Sequence, residues 1–466
     1  MVAGEIIQSI VEAASSSSNS TTPTPALKYQ DCDGGVAPDP GNTTWVLLST
    51  ILVLGMMPAL AFFEAGLLRS KNTLSIITQI MSGIVVLTVM WQAFGYSLTF
   101  GPDQKGIIGN LDHAFLINVS YDDCSPNASK IPAAAYAFFM MMFANITPLL
   151  MTGAFAERVK FKAFIALTVA WEIIVFYPVA HWIWGGGWLH KYFGVLDFAG
   201  GIVIHTSAGV SALVIALYVG KRKEFEKYGG EFPPSNLPLA TIGAALLWMG
   251  WFGFNAGSAL AAGNIATSAV ASTQIGGSFS AIVWIILSWL KGKPTTVAVI
   301  NGVIAGLAGI TPASGYINSQ YSIGLGIVLG LASYYSVVLL KHKLHIDDAL
   351  DVSSVHGLTG IIGSLAIGFC SDLSVNPNGA NGAFYGNPKL IGTQLLGVVS
   401  VAVWAAAWTW VLLKIIDATI GVKIDESEED LGLDLVEHGE FAYHNISLQG
   451  TEHHYSSVNN THDFFK

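Results

Sequence analysis

Residues 196–209, Leu-Asp-Phe-Ala-Gly-Gly-Ile-Val-Ile-His-Thr-Ser-Ala-Gly, and residues 351–363, Asp-Val-Ser-Ser-Val-His-Gly-Leu-Thr-Gly-Ile-Ile-Gly, decide how this chain is read. Each sets an aspartate ahead of a histidine at the start of an apolar run rich in small residues. Inside a bilayer an ionisable side chain is costly and is a functional candidate by default. The two stretches therefore raise two questions, whether they lie in a membrane and whether they face each other.

The composition answers the first. The chain has 466 residues, 52% of them hydrophobic and 11% charged, against roughly 25% charged in a soluble domain. Its mean hydropathy is +0.55. So few charges cannot surface a water-facing globule, which excludes soluble enzymes and nucleic-acid binders. The net charge of −10 is local: residues 424–466 hold ten acids and one base, Lys466, or −9 of it. This stretch reads as a polyacidic extension solvated by its own repulsion. Three cysteines are too few and too scattered for a metal cluster, and no metal or cofactor is expected.

Scanning for about 20 predominantly apolar residues gives eleven candidate spans, near 46–68, 75–100, 132–156, 162–184, 200–220, 238–260, 266–290, 295–312, 322–341, 353–371 and 391–416. The expected fold is an all-α polytopic membrane protein of eleven transmembrane helices. Sixteen of the 21 Lys and Arg fall on one set of connections and the C-terminal tail, among them Arg69, Arg158, Arg222, Lys341 and Lys423; five, Lys28, Lys105, Lys130, Lys191 and Lys389, fall on the other. The positive-inside rule places the first set in the cytoplasm and the N-terminus outside. The sequons at Asn19, Asn42, Asn118 and Asn127 all fall on the outer side and are glycosylation candidates. Residues 1–44 read as a disordered extracytoplasmic leader, 45–420 as the transmembrane domain and 421–466 as an acidic cytoplasmic tail. Cys32 and Cys124, both expected outside, are open to a disulfide with each other, to one between subunits, or to remaining free thiols.

The second question turns on a repeat. Phe63-Glu64-Ala65-Gly66 in the first span resembles Phe254-Asn255-Ala256-Gly257 in the sixth, and the Asp197/His205 stretch in the fifth resembles Asp351/His356 in the tenth. Five spans separate each pair, and an odd number inverts the second copy. The chain then reads as an inverted 5+5 pseudo-repeat plus an eleventh helix, with its working site near the midplane. His205 lies eight residues after Asp197 and His356 five after Asp351, so the two approach mid-depth from opposite faces. Gly209 and Gly357 permit close backbone approach there. Singly, each histidine reads more simply as a satisfied packing residue; the matched pair reads as the border of a narrow lumen. Asp197 and Asp351 read as helix-start caps that accept backbone N–H bonds. His181 and Glu172 also fall in the fourth span, and Glu172 has no evident partner.

Aromatics form a second constellation. Phe139 and Phe143 share a helix face, as do Phe254 and Ser258, with Trp251 three residues earlier. Packing or lipid contact is the plain reading of a Phe, but Gly253, Asn255 and Gly257 suit a cavity wall. Trp184, before Gly185-Gly186-Gly187, reads as an interface-belt tryptophan or a vestibule wall.

Ala154-Phe155-Ala156-Glu157-Arg158, Trp184-Gly185-Gly186-Gly187, Leu196-Asp197-Phe198-Ala199-Gly200-Gly201 with His205, Trp251 to Ser258, and Asp351 to Gly357 occur in order, and over about residues 45–443 the chain resembles the ammonium transporter (Amt/MEP/Rh) family. The resemblance is to its Amt/MEP branch, of eukaryotic type. It implies a homotrimer with one pore per subunit and no enzymatic activity. It implies substrate recruitment by Trp184, Ser258 and Phe139, a phenylalanine gate of Phe143 and Phe254, and pore histidines His205 and His356. Asp197 would be a structural carboxylate near the recruitment site, with Trp251 and Asp351 in support. The expected partners are ammonium or methylammonium, membrane lipid and possible cytoplasmic regulators of the tail; the expected location is the plasma membrane, with endosomal membranes as the alternative. The tail motif Gly432 to Tyr443 resembles one that couples subunits in plant relatives, but Val436 stands where those carry a phosphorylatable Thr. A sensor of the same fold with little flux is the competing reading. An intramembrane His/Asp enzyme is disfavoured, because no HExxH motif and no Ser or Asp on the histidine face supports it.

Overall fold

Apolar runs of bilayer length close all their backbone hydrogen bonds only as helices, and a helical bundle is what forms. The computed structural model describes residue 32 and residues 37–443; the sequon at Asn19 and residues 444–466 of the tail lie outside the described residues. Among the described residues ten helices are long and apolar enough to cross a membrane: α1 (Pro40–Leu67), α2 (Ser70–Phe100), α3 (Ala133–Phe155), α4 (Phe161–Phe193), α5 (Gly201–Val219), α6 (Leu237–Gly257), α7 (Asn264–Lys291), α9 (Ser319–Lys343), α10 (Ser353–Cys370) and α11 (Lys389–Thr419). Between them α8 (Thr296–Ile310) sits where the eighth candidate span was expected. It has 15 residues, about 22 Å at 1.5 Å per residue, short of a bilayer core. Thr295 caps its start by accepting from the Ala298 N–H, and Pro312 lies two residues past its end.

Ion pairs gather alternate connections at one end of the bundle. Arg69, after α1, meets Glu157, after α3, at 2.8 Å, and Glu429 of the tail at 3.1 Å. Arg222, after α5, meets Glu157 at 3.2 Å and Asp347, after α9, at 2.7 Å. The basic connections thus share one face, here the basic end. At the far end, the Trp45 indole donates to the Ala256 carbonyl at the end of α6, and the Phe198 N–H donates to the Pro312 carbonyl after α8. Cys32 and Cys124 are disulfide-bonded to each other. Asn118 and Asn127 are exposed, whereas Asn42 is half-buried and its amide oxygen accepts from the Ala262 N–H.

The two copies of the repeat run opposite ways. Glu64, closing α1 at the basic end, accepts from the Thr152 hydroxyl at 2.8 Å; Asn255, closing α6 at the far end, donates to the Thr273 hydroxyl at 2.9 Å. α5 begins at the far end and α10 at the basic end, and they cross where Gly209 meets Gly357. A Cβ on Gly209 would lie 2.1 Å from the Gly357 Cα, so the backbones touch.

One expectation fails in this region. The acidic tail is not held off by its own repulsion between Asp425 and His438. It folds as two short helices, α12 (Glu426–Leu431) and α13 (Leu433–His438), and Glu429 and Asp434 are buried. Arg69 neutralises Glu429, and backbone N–H groups receive both carboxylates.

Candidate functional site

At the far end a cavity of about 370 Å³ opens between α3, α4, α6 and the loop ahead of α5, and Phe139, Phe143, Trp184, Asp197 and Ser258 line it. Trp184 closes one helical stretch of α4, where Gly186 at φ +85° turns the chain. Its indole N–H donates to the Asp197 carbonyl at 2.9 Å, leaving the ring half-buried against the cavity. The Ser258 hydroxyl donates to the Phe254 carbonyl at 2.8 Å. Its proton is thereby committed, so toward the cavity it can only accept. An aromatic face and a lone pair together suit a small cation with N–H donors.

Below, the cavity is shut by rings. Phe143 and Phe254 lie 4.5 Å apart between centroids, Phe139 packs on Phe143 at 4.9 Å, and Trp184 meets Phe143 edge-on at 6.1 Å. Phe139, Phe143 and Phe254 are all buried.

Beneath the rings a cavity of about 20 Å³ is bordered by His205, His356, Trp251, Phe254 and Phe63 and otherwise by side chains such as Met56, Leu60 and Ile304. That volume is close to the roughly 10–15 Å³ needed to hold one water, so one water-sized molecule fits at a time. The imidazoles meet Nδ1 to Nδ1 at 3.2 Å. One Nδ1 must carry the proton and the other accept it. Two neutral rings so joined have complementary tautomers, leaving one bare Nε2 and one Nε2–H. The Nε2 of His205 is buried and has no partner among the described residues. Trp251 stacks on His205 at 5.8 Å and on His356 at 6.4 Å, and its N–H is anchored on Thr311 at 2.9 Å.

Asp197 accepts from the N–H groups of Gly200, Gly201, Ile202 and Val203 at 2.7 to 3.0 Å, the cap expected of it. Asp351 does not cap. The carboxylate at the start of α10 is Asp348, which accepts from the N–H groups of Val352 and Ser353 at 3.0 and 2.7 Å. Asp348 precedes His356 by eight residues, the spacing of Asp197 to His205, and that equality was available in the sequence. Each histidine also sits in a π-helical turn, Gly201–Thr206 and Ser353–Leu358, whose extra residue re-aims the side chain into the bundle. Asp351, at φ +61°, pairs instead with Lys341 at 2.7 Å. Burial drives its carboxyl up, against the opposing Lys341, to about 6.

Lys341 was expected on a connection, yet α9 continues through it and buries it. Glu64 also escaped notice as a buried carboxyl, although its place in a four-residue repeat marked it. At the basic end, burial works to raise Glu157, but Arg222 and Arg69 outweigh it and hold the carboxyl below its usual range. His181 lies between the Thr99 carbonyl at 2.8 Å and the Asp103 carboxylate at 3.1 Å, tying α4 to the loop after α2. Neither carboxyl oxygen of buried Glu172 has a partner among the described residues.

Comparison with known proteins agrees with this geometry. A model of the family described as Ammonium Transporter Family matches residues 44–443. The chain is 92% identical over 466 residues to ammonium transporter 1 of Dictyostelium discoideum, covering 100% of both. It is 43% identical over 403 residues to ammonium transporter Amt1 of Archaeoglobus fulgidus, covering 86% of this chain and 99% of that one. The crystal structure of Candida albicans Mep2 superposes with a TM-score of 0.79 at 32% identity, covering 87% and 91% of the two chains.

Proposed function

The chain belongs to the ammonium transporter family, a family of integral membrane transporters and not of enzymes, and from that premise we propose that it conducts by splitting the ion. Ammonium is recruited between Trp184, Ser258 and Phe139 and releases its proton there to the water of the outer vestibule. Ammonia then passes the Phe143/Phe254 gate and moves along His205 and His356. Asp197 holds the vestibule through its four backbone bonds without touching substrate.

The energetics favour this route. Dehydrating a small cation into a low-dielectric interior has an idealised cost on the order of 20 kcal/mol, and one cation–π contact returns about 2 kcal/mol. Deprotonating ammonium at neutral pH, roughly two units below its pKa, costs about 3 kcal/mol at about 1.36 kcal/mol per unit. The single-molecule lumen, faced by one Nε2 acceptor and one Nε2–H donor, suits a neutral molecule that both donates and accepts.

The 3.2 Å imidazole pair under the closed rings carries this reading. The same reading has the basic end in the cytoplasm, eleven passes with α8 among them, a homotrimer with a pore in each subunit, nitrogen uptake across the plasma membrane, and glycans on Asn118 and Asn127. Methylammonium uptake into proteoliposomes tests it. Trp184→Leu is expected to raise the half-saturating concentration, and His205→Ala to reduce flux at least tenfold. Wild-type rates in a His205→Ala, His356→Ala double variant would sink the mechanism; a folded wild type that binds ammonium without flux would favour the sensor reading.

A further inference from the structure

A third cavity, about 430 Å³ in volume, opens at the basic end and is lined by Leu67, Asn301, Glu231, Lys341 and Asp351. It lies below the histidine cavity. On three separate helices its lining residues lie about one turn nearer the basic end than residues of the histidine cavity: Leu67 after Phe63 on α1, Asn301 before Ile304 on α8, and Asp351 before His356 at α10.

The far end presents an open aromatic cup for a cation. The basic end presents a carboxylate, a stronger cation ligand, but that carboxylate is taken. Lys341 reaches it with Nζ 2.7 Å from the Asp351 Oδ1, and both residues are buried. The lysine is held in place along its stem. Gly230, at φ +81°, lies against it so closely that a Cβ there would come within 2.8 Å of the Lys341 Cγ. The group at the end of that stem is an alkylammonium, with the donors and charge of the proposed substrate.

We propose that Asp351 forms a binding site for a primary ammonium ion at the inner mouth of the pore, and that Lys341 fills it as a tethered competitor. This rests on the transport reading above. A short flexible tether gives an effective concentration of about a millimolar, and a lysine anchored on a helix is more constrained than that. Free ammonium below that level does not displace it, so the inner mouth captures ions poorly while the far-end vestibule captures them freely.

The test vacates the site and offers it the side chain it has lost. The full chain is purified in detergent as wild type, Lys341→Ala, and Lys341→Ala with Asp351→Asn, and thermal unfolding is followed with n-butylammonium chloride, the free equivalent of the lysine side chain. The Tm of Lys341→Ala is expected to fall by several degrees and to recover most of the loss with butylammonium, while the other two proteins stay unmoved. Butyltrimethylammonium, which has no N–H, is expected to rescue nothing. Equal shifts in all three proteins, or none in Lys341→Ala, overturn the proposal. Lys341→Met replaces the alanine variant should the latter fail to fold.

Reconstituted into liposomes of known orientation, Lys341→Ala is expected to lower the ratio of half-saturating concentrations, efflux over influx, for methylammonium at least threefold. An unchanged ratio also overturns the proposal. Absence of methylammonium flux in the wild type would sink the transport reading alone, because the butylammonium measurement reports on Asp351 without any flux.

Discussion

At the scale of single residues, the vestibule depends on a carboxylate whose two oxygens are occupied by backbone N–H groups. Asp197 receives four backbone N–H groups, two on each oxygen, and its own carbonyl holds the Trp184 indole. Asp197→Asn keeps the shape but replaces one acceptor with an NH2, which then confronts two N–H donors. Each buried donor left unsatisfied costs about 1–3 kcal/mol, so the substitution is expected to destabilise the protein by about 3 kcal/mol in thermal unfolding. It should also weaken methylammonium uptake by loosening Trp184. Full stability with unaltered half-saturation would show that the four bonds position nothing. Asp348 holds the corresponding place ahead of His356 with two backbone bonds and the Ser353 hydroxyl.

At the scale of elements, the helices were largely legible and their ends were not. Among the described residues, hydropathy gave the positions of the ten bilayer-length helices and of the shorter α8, because a bilayer requires apolar length. It ran α8 two residues past Ile310, because Thr311 and Pro312 continue an otherwise apolar run. The pairing of Asp with His was legible as a motif, but proximity favoured Asp351 over Asp348; only the π turn, which no residue pattern announces, explains why eight residues is the working spacing in both copies. Lys341 read as a loop cation because a lysine at the end of an apolar run ordinarily snorkels to water, and the carboxylate that keeps it inside lies ten residues further on. The glycines at the crossing were legible as small residues, and their contact makes a sharp demand. Gly209→Ala would place a Cβ 2.1 Å from rigid backbone, whereas a Cβ at Gly324, also within a helix, meets nothing within 4 Å. Overpacking costs typically about 1–3 kcal/mol, so Gly209→Ala is expected to lose that much stability and most of its flux as the histidines separate. Gly324→Ala should stay within about 1 kcal/mol of wild type, since alanine is the better helix former. Equal behaviour of the two would mean that the α5–α10 crossing does not set the histidine pair.

At the scale of the whole molecule, the tail and the bundle exchange helix caps. Asn72 is placed to cap the helix from Thr73 onward, yet its side chain makes no bond there; its amide oxygen instead accepts from the Leu433 N–H, the first of α13, at 2.8 Å. Asp434 returns the bond, accepting from the Ser75 N–H in the opening turn of α2 at 2.7 Å. A negative side chain near that helix start also matches the positive end of its dipole. Each helix start is thus completed by a residue some 360 positions away in the chain, and Arg69 and Lys71 fasten Glu429 beside the exchange. Neither cap survives alone, because undocking α13 orphans the N–H groups of α2 as well. Losing a cap costs about 1 kcal/mol, and here two are lost together. Asp434→Ala is therefore expected to speed hydrogen exchange at Ser75 and at Leu433 by comparable factors, tenfold or more for about 1.4 kcal/mol. Because Asp434 leaves the Asn72 bond chemically intact, faster exchange at Ser75 with Leu433 still protected would show two independent contacts and no exchange of caps. Val436 stands within the same α13 and brings no hydroxyl to that position.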